Sequence, residues 1–181
     1  MTPGLQLRTA PTADLDPAEI AALRALLDAA FDDDFSDTDW SHALGGLHVL
    51  ATRDGELVGH AAVVGRQLGA GGRPLRTGYV EAVAVAAAAR RQGVAGAVMT
   101  EVERLVDGGC ELGALAASEA GSALYAGRGW TPWQGRLRYL TPDGVADGDD
   151  SLVYVRSTPS TPGRLDTSLP LVADWRRGDP W

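Results

Sequence analysis

The 181 residues suffice for one compact domain with a sizeable core, and 45% hydrophobic against 22% charged residues is the balance of a globular protein. Sixteen basic residues, all Arg, face 24 acidic ones for a net charge of −8, a sign that argues against nucleic acid and anionic membrane surfaces. A single cysteine, Cys110, excludes an internal disulfide or a Cys-based metal site. With no membrane-length apolar run and no secretory segment after Met1, the chain reads as one cytoplasmic domain over residues 1–181.

Leu5 to Thr9 reads as a first strand. Asp16-Pro17-Ala18-Glu19 then carries a helix start: Asp at the N-cap, Pro first, Glu at the third position. Ile20, Leu23, Leu26, Leu27, Ala30 and Phe31 follow at helical spacing. An acidic stretch, Asp32 to Asp39, ends at Trp40 and a short segment from Ser41 to Leu44. Leu47–Thr52 and Glu56–Leu68 read as strands about the turn signal Asp54-Gly55, and Leu75–Ala86 as a third strand. Val94, Ala97, Val98, Glu101, Val102, Leu105 and Val106 mark an amphipathic helix closed by Gly108-Gly109. A strand from Cys110 to Ala117, a short helix from Glu119 to Ala126, a return strand starting at Gly129-Trp130 and a last strand Leu152–Arg156 complete the pattern. The remainder reads as a Pro/Gly/Ser-rich tail with late anchors Leu171, Trp175 and Trp181. This order implies an α/β or α+β fold around a mixed sheet.

Seventeen of the acids are Asp, a residue that favours caps and turns, so the negative charge collects in loops. The clusters are Asp32, Asp33, Asp34, Asp37 and Asp39; then Asp143, Asp147, Asp149 and Asp150; then Asp174 and Asp179 beside the terminal carboxylate. Such loops serve either solubility or the binding of a polycation.

Between Glu81 and Gly96 an apolar strand runs into a small-residue turn, and a helix starts at once. Unpaired N–H groups at that helix start favour a phosphate, Gly93, Ala95 and Gly96 let it approach the backbone, and Arg90 and Arg91 supply charge. A plain connection with a surface Arg pair would look the same. Arg90-x-x-Gly93-x-Ala95 nevertheless resembles the acyl-CoA pyrophosphate motif of the GNAT superfamily of N-acetyltransferases. Longer strings resemble the aminoglycoside 2′-N-acetyltransferases within it: Asp34-Phe35-Ser36-Asp37-Thr38-Asp39-Trp40, Gly45-Gly46-Leu47-His48, Gly78-Tyr79-Val80-Glu81, Leu124-Tyr125-Ala126 with Arg128-Gly129-Trp130, and Asp174-Trp175-Arg176 through Asp179-Pro180-Trp181. The resemblance spans nearly the whole chain and is interrupted mainly from Asp143 to Ser168.

That resemblance implies the GNAT acyl-CoA-binding fold, a central, mostly antiparallel mixed sheet flanked by helices. It implies acetyl-CoA as co-substrate, no metal, a cationic aminoglycoside as the partner and a homodimer. Glu81 in an apolar strand is costly unless paired or protonated; it is either a base or substrate anchor, or a partner for a structural Arg. By resemblance it is the base, acting through water, and Tyr125, which spacing alone would assign to the core, is the acid beside the CoA sulfur. The backbone of Val83 and Val85 would meet the pantetheine arm, and Arg90, Arg91, Gln92, Gly93, Val94, Ala95 and Gly96 the pyrophosphate. Asp34, Asp39, Glu81, the Ala82 carbonyl, Asp149, Asp179 and the carboxylate of Trp181 would bind substrate, the last joining Glu81 and Tyr125 as a catalytic group by holding the reacting amine, and Asp32, Asp33, Asp143 and Asp147 would stay solvated. Two positions depart from the family's pattern: Ala116 stands in place of a substrate-contacting Ser, and Ala82 in place of a Gly. His42, His48 and His60 show no metal spacing, Cys110 reads as a small buried residue, and Trp130 and Trp133 read as core or cleft wall. The alternatives are a housekeeping acetyltransferase for another amino-sugar or polyamine, and a non-catalytic binder of cationic drugs or acyl-CoA.

Overall fold

A computed structural model describes residues 4–32 and 34–181, so the expectation for Asp33 lies outside the described residues. Two compact units emerge: Met1–Val64 with Val80–Leu105, and Gly65–Tyr79 with Val106–Trp181. Strands β3 (Glu56–Ala70) and β4 (Arg73–Val85) contribute residues to both, joined by a Gly71-Gly72 turn in which both residues have positive φ.

In the first unit, β1 (Leu5–Pro11) pairs antiparallel with β2 (Leu47–Arg53), which pairs antiparallel with the opening of β3. The β2–β3 turn is Asp54-Gly55, both residues left-handed with φ of 53° and 83°, as an Asp-Gly hairpin requires. Helix α1 (Pro17–Ala30) starts with the expected capping box: the Asp16 carboxylate accepts from the amides of Ala18 and Glu19, and Glu19 accepts from the Asp16 amide. Its buried Leu23, Leu26 and Leu27 pack with Leu50, Leu57 and Ala84. Helix α2 (Asp37–Ala43), where the sequence reads as an acidic stretch and a short segment, begins at a second capping box between Ser36 and Asp39. Helix α3 (Val94–Gly109) needs Gly59 to be small, because a Cβ there would lie 2.6 Å from Val94 Cγ1 and 3.3 Å from Ala51 Cβ.

The second unit contains the strand order β6-β9-β5-β4-β3-β10-β7-β8. Here β5 (Leu112–Ala116) lies parallel to β4 over Thr77–Tyr79 and antiparallel to β9 (Val153–Ser157). The short β6 (Thr131–Pro132) pairs with β9, and α4 (Glu119–Gly127) follows β5. Three expectations need correction. The return strand after Gly129-Trp130 is only Thr131–Pro132. A hairpin of β7 (Leu137–Thr141) and β8 (Gly144–Asp147) occupies a stretch in which no strand was expected. It sits at the sheet edge with none of its strand residues buried, so it lacks the buried apolar face that marks a core strand. The segment Leu152–Arg156 is not the last strand: β10 (Leu171–Ala173) lies in the expected tail, antiparallel to β3 and parallel to β7. Three residues are too few to show periodicity, yet Leu171 and Ala173 are fully buried. Among the described residues, no helix is long and apolar enough to cross a membrane.

Two strand glycines make opposite predictions. Gly59→Ala forces its methyl into Val94 and should cost about 1–3 kcal/mol of unfolding free energy. Gly65→Ala meets nothing within 4 Å and should be neutral or slightly stabilising in the same denaturant titration.

Candidate active site

Strand β4 carries the candidate base. Glu81 is half-buried and is followed by Ala82 at a φ of 51°, a left-handed alanine inside an otherwise extended strand. The alternation that would put Glu81, Val83 and Val85 on one face does not carry across such a residue. The conformation costs an L-residue about 1–2 kcal/mol. One compensating contact is visible: His60 Nδ1 lies 2.9 Å from the Ala82 carbonyl. His60 Nε2 in turn lies 2.9 Å from His48 Nδ1, and His48 Nε2 lies 2.8 Å from Thr12 Oγ1. Both imidazoles are fully buried on neighbouring strands, with Leu50 opposite His60 in the register. The carbonyl of Ala82, expected to meet substrate, thus already accepts one bond and retains one lone pair for another.

After β4, a 3-10 turn (Ala87–Ala89) leads to a loop in which Arg91 and Gly93 both have positive φ, 62° and 80°. Successive amides in such a loop, followed directly by the start of α3 at Val94, make a concavity of N–H groups suited to phosphate. Arg91, Gln92 and Gly93 are exposed, Val94 is buried, and Ala95 and Gly96 are half-buried. The side chains of Arg90 and Gln92 shape the loop. Arg90 Nε donates to the Val85 carbonyl at 3.3 Å, and Gln92 Nε2 to the Ala88 carbonyl at 2.7 Å. A further cation, Arg53 at the end of β2, donates to Gln92 Oε1. Sequence reasoning missed Arg53 because its partner lies 39 positions away with no local motif to link them. Val83 and Val85 lie on β4 beyond Tyr79, the last residue of the β4–β5 ladder.

In the second unit, Tyr125 on α4 is buried, with its ring 6.4 Å from Trp130 and 6.1 Å from Tyr154 between centroids. Burial pushes its phenol up to about 12, so it stays protonated at neutral pH. Trp130 and Trp133 are both core residues, 2% and 7% exposed. Trp133 Nε1 donates to the Leu169 carbonyl at 2.8 Å. Cys110 is half-buried, and desolvation raises its thiol pKa, which disfavours the thiolate.

The chain end is anchored. Trp181 is 4% exposed, and a Cβ on Gly148 would lie 2.9 Å from its indole nitrogen. Arg176 Nη2 donates to one carboxylate oxygen of Trp181 at 2.7 Å, and Asp179 Oδ1 accepts from the Trp181 amide at 2.9 Å. Upstream, buried Arg66 donates to Asp174 at 2.8 Å, and the Gln67 amide donates to the same carboxylate. Tyr79 is stacked by two guanidinium groups, with Arg66 Cζ 4.6 Å and Arg176 Cζ 5.4 Å from its ring centroid.

The candidate substrate acids divide between the units. Asp34 is exposed and Asp39 is half-buried, its carboxylate used by Ser36 at the head of α2. Asp149 and Asp179 are exposed in the second unit, and Asp149 Oδ1 accepts from the Ser151 amide. Asp32 and Asp143 are exposed, while Asp147 pairs with Arg138 across the β7–β8 hairpin.

The strand, the loop with left-handed Arg91 and Gly93, and the helix start lie in the order that the resemblance of Arg90-x-x-Gly93-x-Ala95 implies. A family described as an acetyltransferase (GNAT) domain matches residues 13–133, and the chain belongs to that family. The aminoglycoside 2′-N-acetyltransferase of Mycolicibacterium fortuitum is 45% identical over 177 residues, covering 96% of this chain and 91% of that relative. Solved structures agree on the fold. Escherichia coli ElaA superposes with a TM-score of 0.61 at 17% identity, covering 84% of this chain and 99% of its own. A GNAT family acetyltransferase from Brucella melitensis in complex with acetyl-CoA gives 0.60 at 18% identity, covering 90% of this chain and 93% of that one.

The buried histidines generate a pH prediction. Desolvation lowers His60 from 6.5 to about 3, and His48 is lowered for the same reason. Below 6.5 the unfolded chain binds a proton that folded His60 refuses, so stability is complete above that pH and is lost as pH falls toward 3. Denaturant titrations should show His60 withdrawing about 2 kcal/mol between neutral pH and about pH 5, a loss that shrinks in His60→Asn. An unchanged loss in that variant would contradict the assignment.

Proposed function

We propose that this protein transfers the acetyl group of acetyl-CoA to the 2′-amine of aminoglycoside antibiotics and so confers resistance to them. The observation that carries this reading is the 45% identity, across 96% of the chain, with an enzyme named for that reaction. Acetyl-CoA supplies the acetyl group as an activated thioester. The left-handed Arg91 and Gly93 and the start of α3 fit its phosphates, with Arg90 to Gly96 as the holding segment and the backbone of Val83 and Val85 for the pantetheine arm.

Glu81 takes a proton from the substrate ammonium through a water, and Tyr125 gives its proton to the departing thiolate. Burial supports the second role, because a phenol held near 12 is not ionised at neutral pH and arrives with its proton in place. Transfer is direct within a ternary complex, with no acyl group carried on the protein. Asp34, Asp39, Asp149, Asp179, the Ala82 carbonyl and the carboxylate of Trp181 recognise the polycation by charge-assisted hydrogen bonds. The net charge of −8 steers that polycation toward the protein. The burial of the Trp181 indole supports the use of its carboxylate, since an anchored chain end can be a ligand. The enzyme works in the cytoplasm as a homodimer, and 1–181 acts as one acetyltransferase domain. Ala116 in place of Ser removes one substrate hydrogen bond and shifts the range of aminoglycosides rather than the reaction.

Thiol release from acetyl-CoA should require a 2′-amino aminoglycoside. Glu81→Gln and Tyr125→Phe should each lower kcat by about 100-fold while leaving acetyl-CoA affinity within about twofold. Release with a cellular polyamine but with no 2′-amino aminoglycoside would replace this reading with the housekeeping one. Tight drug binding without release would replace it with a binding protein.

A further inference from the structure

The motif that the proposed reaction leaves unused is the buried pair His48–His60. The Ala82 carbonyl can only accept, so His60 must carry its hydrogen on Nδ1. In a neutral ring Nε2 is then an acceptor, and His48 Nδ1 must donate to it across 2.9 Å. His48 Nε2 is left as the acceptor for the Thr12 hydroxyl at 2.8 Å, and Thr12 Oγ1 accepts from the Gly45 amide at 2.9 Å. Every group is satisfied in one direction, from the Gly45 N–H to the Ala82 carbonyl. Desolvation favours the neutral rings that this polarity requires. The chain crosses the interior from the loop before β2 to the left-handed residue of β4, and the residue immediately before that terminus is Glu81.

We infer that His60, oriented by His48 and Thr12, is a positioning residue for Glu81: its Nδ1–H fixes the Ala82 peptide in the left-handed turn that aims the preceding carboxylate. A glycine would adopt that backbone freely, whereas an alanine needs to be held there. The two positions are therefore coupled, with the histidine compensating for the methyl of Ala82. The inference rests on the assignment of Glu81 as base.

The test uses the full-length enzyme. His60→Gln puts an amide near the place of Nε2 and removes the Nδ1 donor; kcat should fall about 10- to 100-fold, with KM for acetyl-CoA within about twofold. His60→Asn keeps a donor near the Nδ1 place and should recover most of that loss. Ala82→Gly should rescue His60→Gln: the double variant should turn over at the rate of the Ala82→Gly single variant, because a glycine needs no clamp. Wild-type kcat in His60→Gln, or no rescue by either His60→Asn or Ala82→Gly, would overturn the inference. Two substrate-free readouts separate its failure from that of the aminoglycoside reading. Nitrogen-15 spectra of His60 should show the Nδ1–H tautomer at neutral pH, and the backbone shifts of Ala82 should leave the left-handed range in His60→Gln. An Nε2–H tautomer or unmoved Ala82 shifts would refute the clamp, whatever the substrate is.

Discussion

The hydrogen bond from His60 to the Ala82 carbonyl meets strand β4 at its one left-handed residue, directly after Glu81. Strand β4 has to do two incompatible things, remaining extended enough to join its neighbours and breaking its alternation beside an ionisable side chain. A left-handed residue solves the second demand, and with alanine at that position the solution is strained. The remedy is an acidic-free interior column of Thr12, His48 and His60, whose members come from three separate stretches of sequence. Two imidazoles in a core are a liability at low pH, so the arrangement exchanges acid stability for a fixed backbone.

The second unit is organised around its own cations. Arg66 and Arg176 both lie over the ring of Tyr79, Arg66 binds the Asp174 carboxylate, and Arg176 binds a carboxylate oxygen of Trp181. Chain ends usually fray, but here the last indole is buried and its amide is capped by Asp179. The same acids that give the protein its charge therefore do structural work before any ligand arrives. Asp39 heads α2, Asp174 joins the segment after β10 to β3, and Asp179 holds the last residue.

Features written in local chemistry were legible in the sequence. The Asp16 capping box, the Asp54-Gly55 hairpin, α3 and the turn from Arg90 to Gly96 all rest on residues adjacent in the chain. The family was legible for the same reason, because its motifs are short contiguous strings. What escaped depends on distance or on weak patterning. Strand β10 is three residues long, the β7–β8 hairpin lies at the sheet edge with no buried strand residue, and Arg53 reaches Gln92 only after folding. Ala82 was visible as a departure from the family's pattern, but its left-handed backbone and its bond to His60 were not, since the two residues lie 22 positions apart. Asp39 and Asp179 carry only a charge signal in the sequence, and their capping roles depend on the backbone around them.

Acetyl transfer to a single amine is read most directly from the product itself. An aminoglycoside bearing amines at several positions, incubated with acetyl-CoA and the enzyme and then assigned by NMR, should carry one acetyl group, on the 2′-nitrogen. An acetyl group on any other amine, or recovery of the unmodified drug, would contradict it.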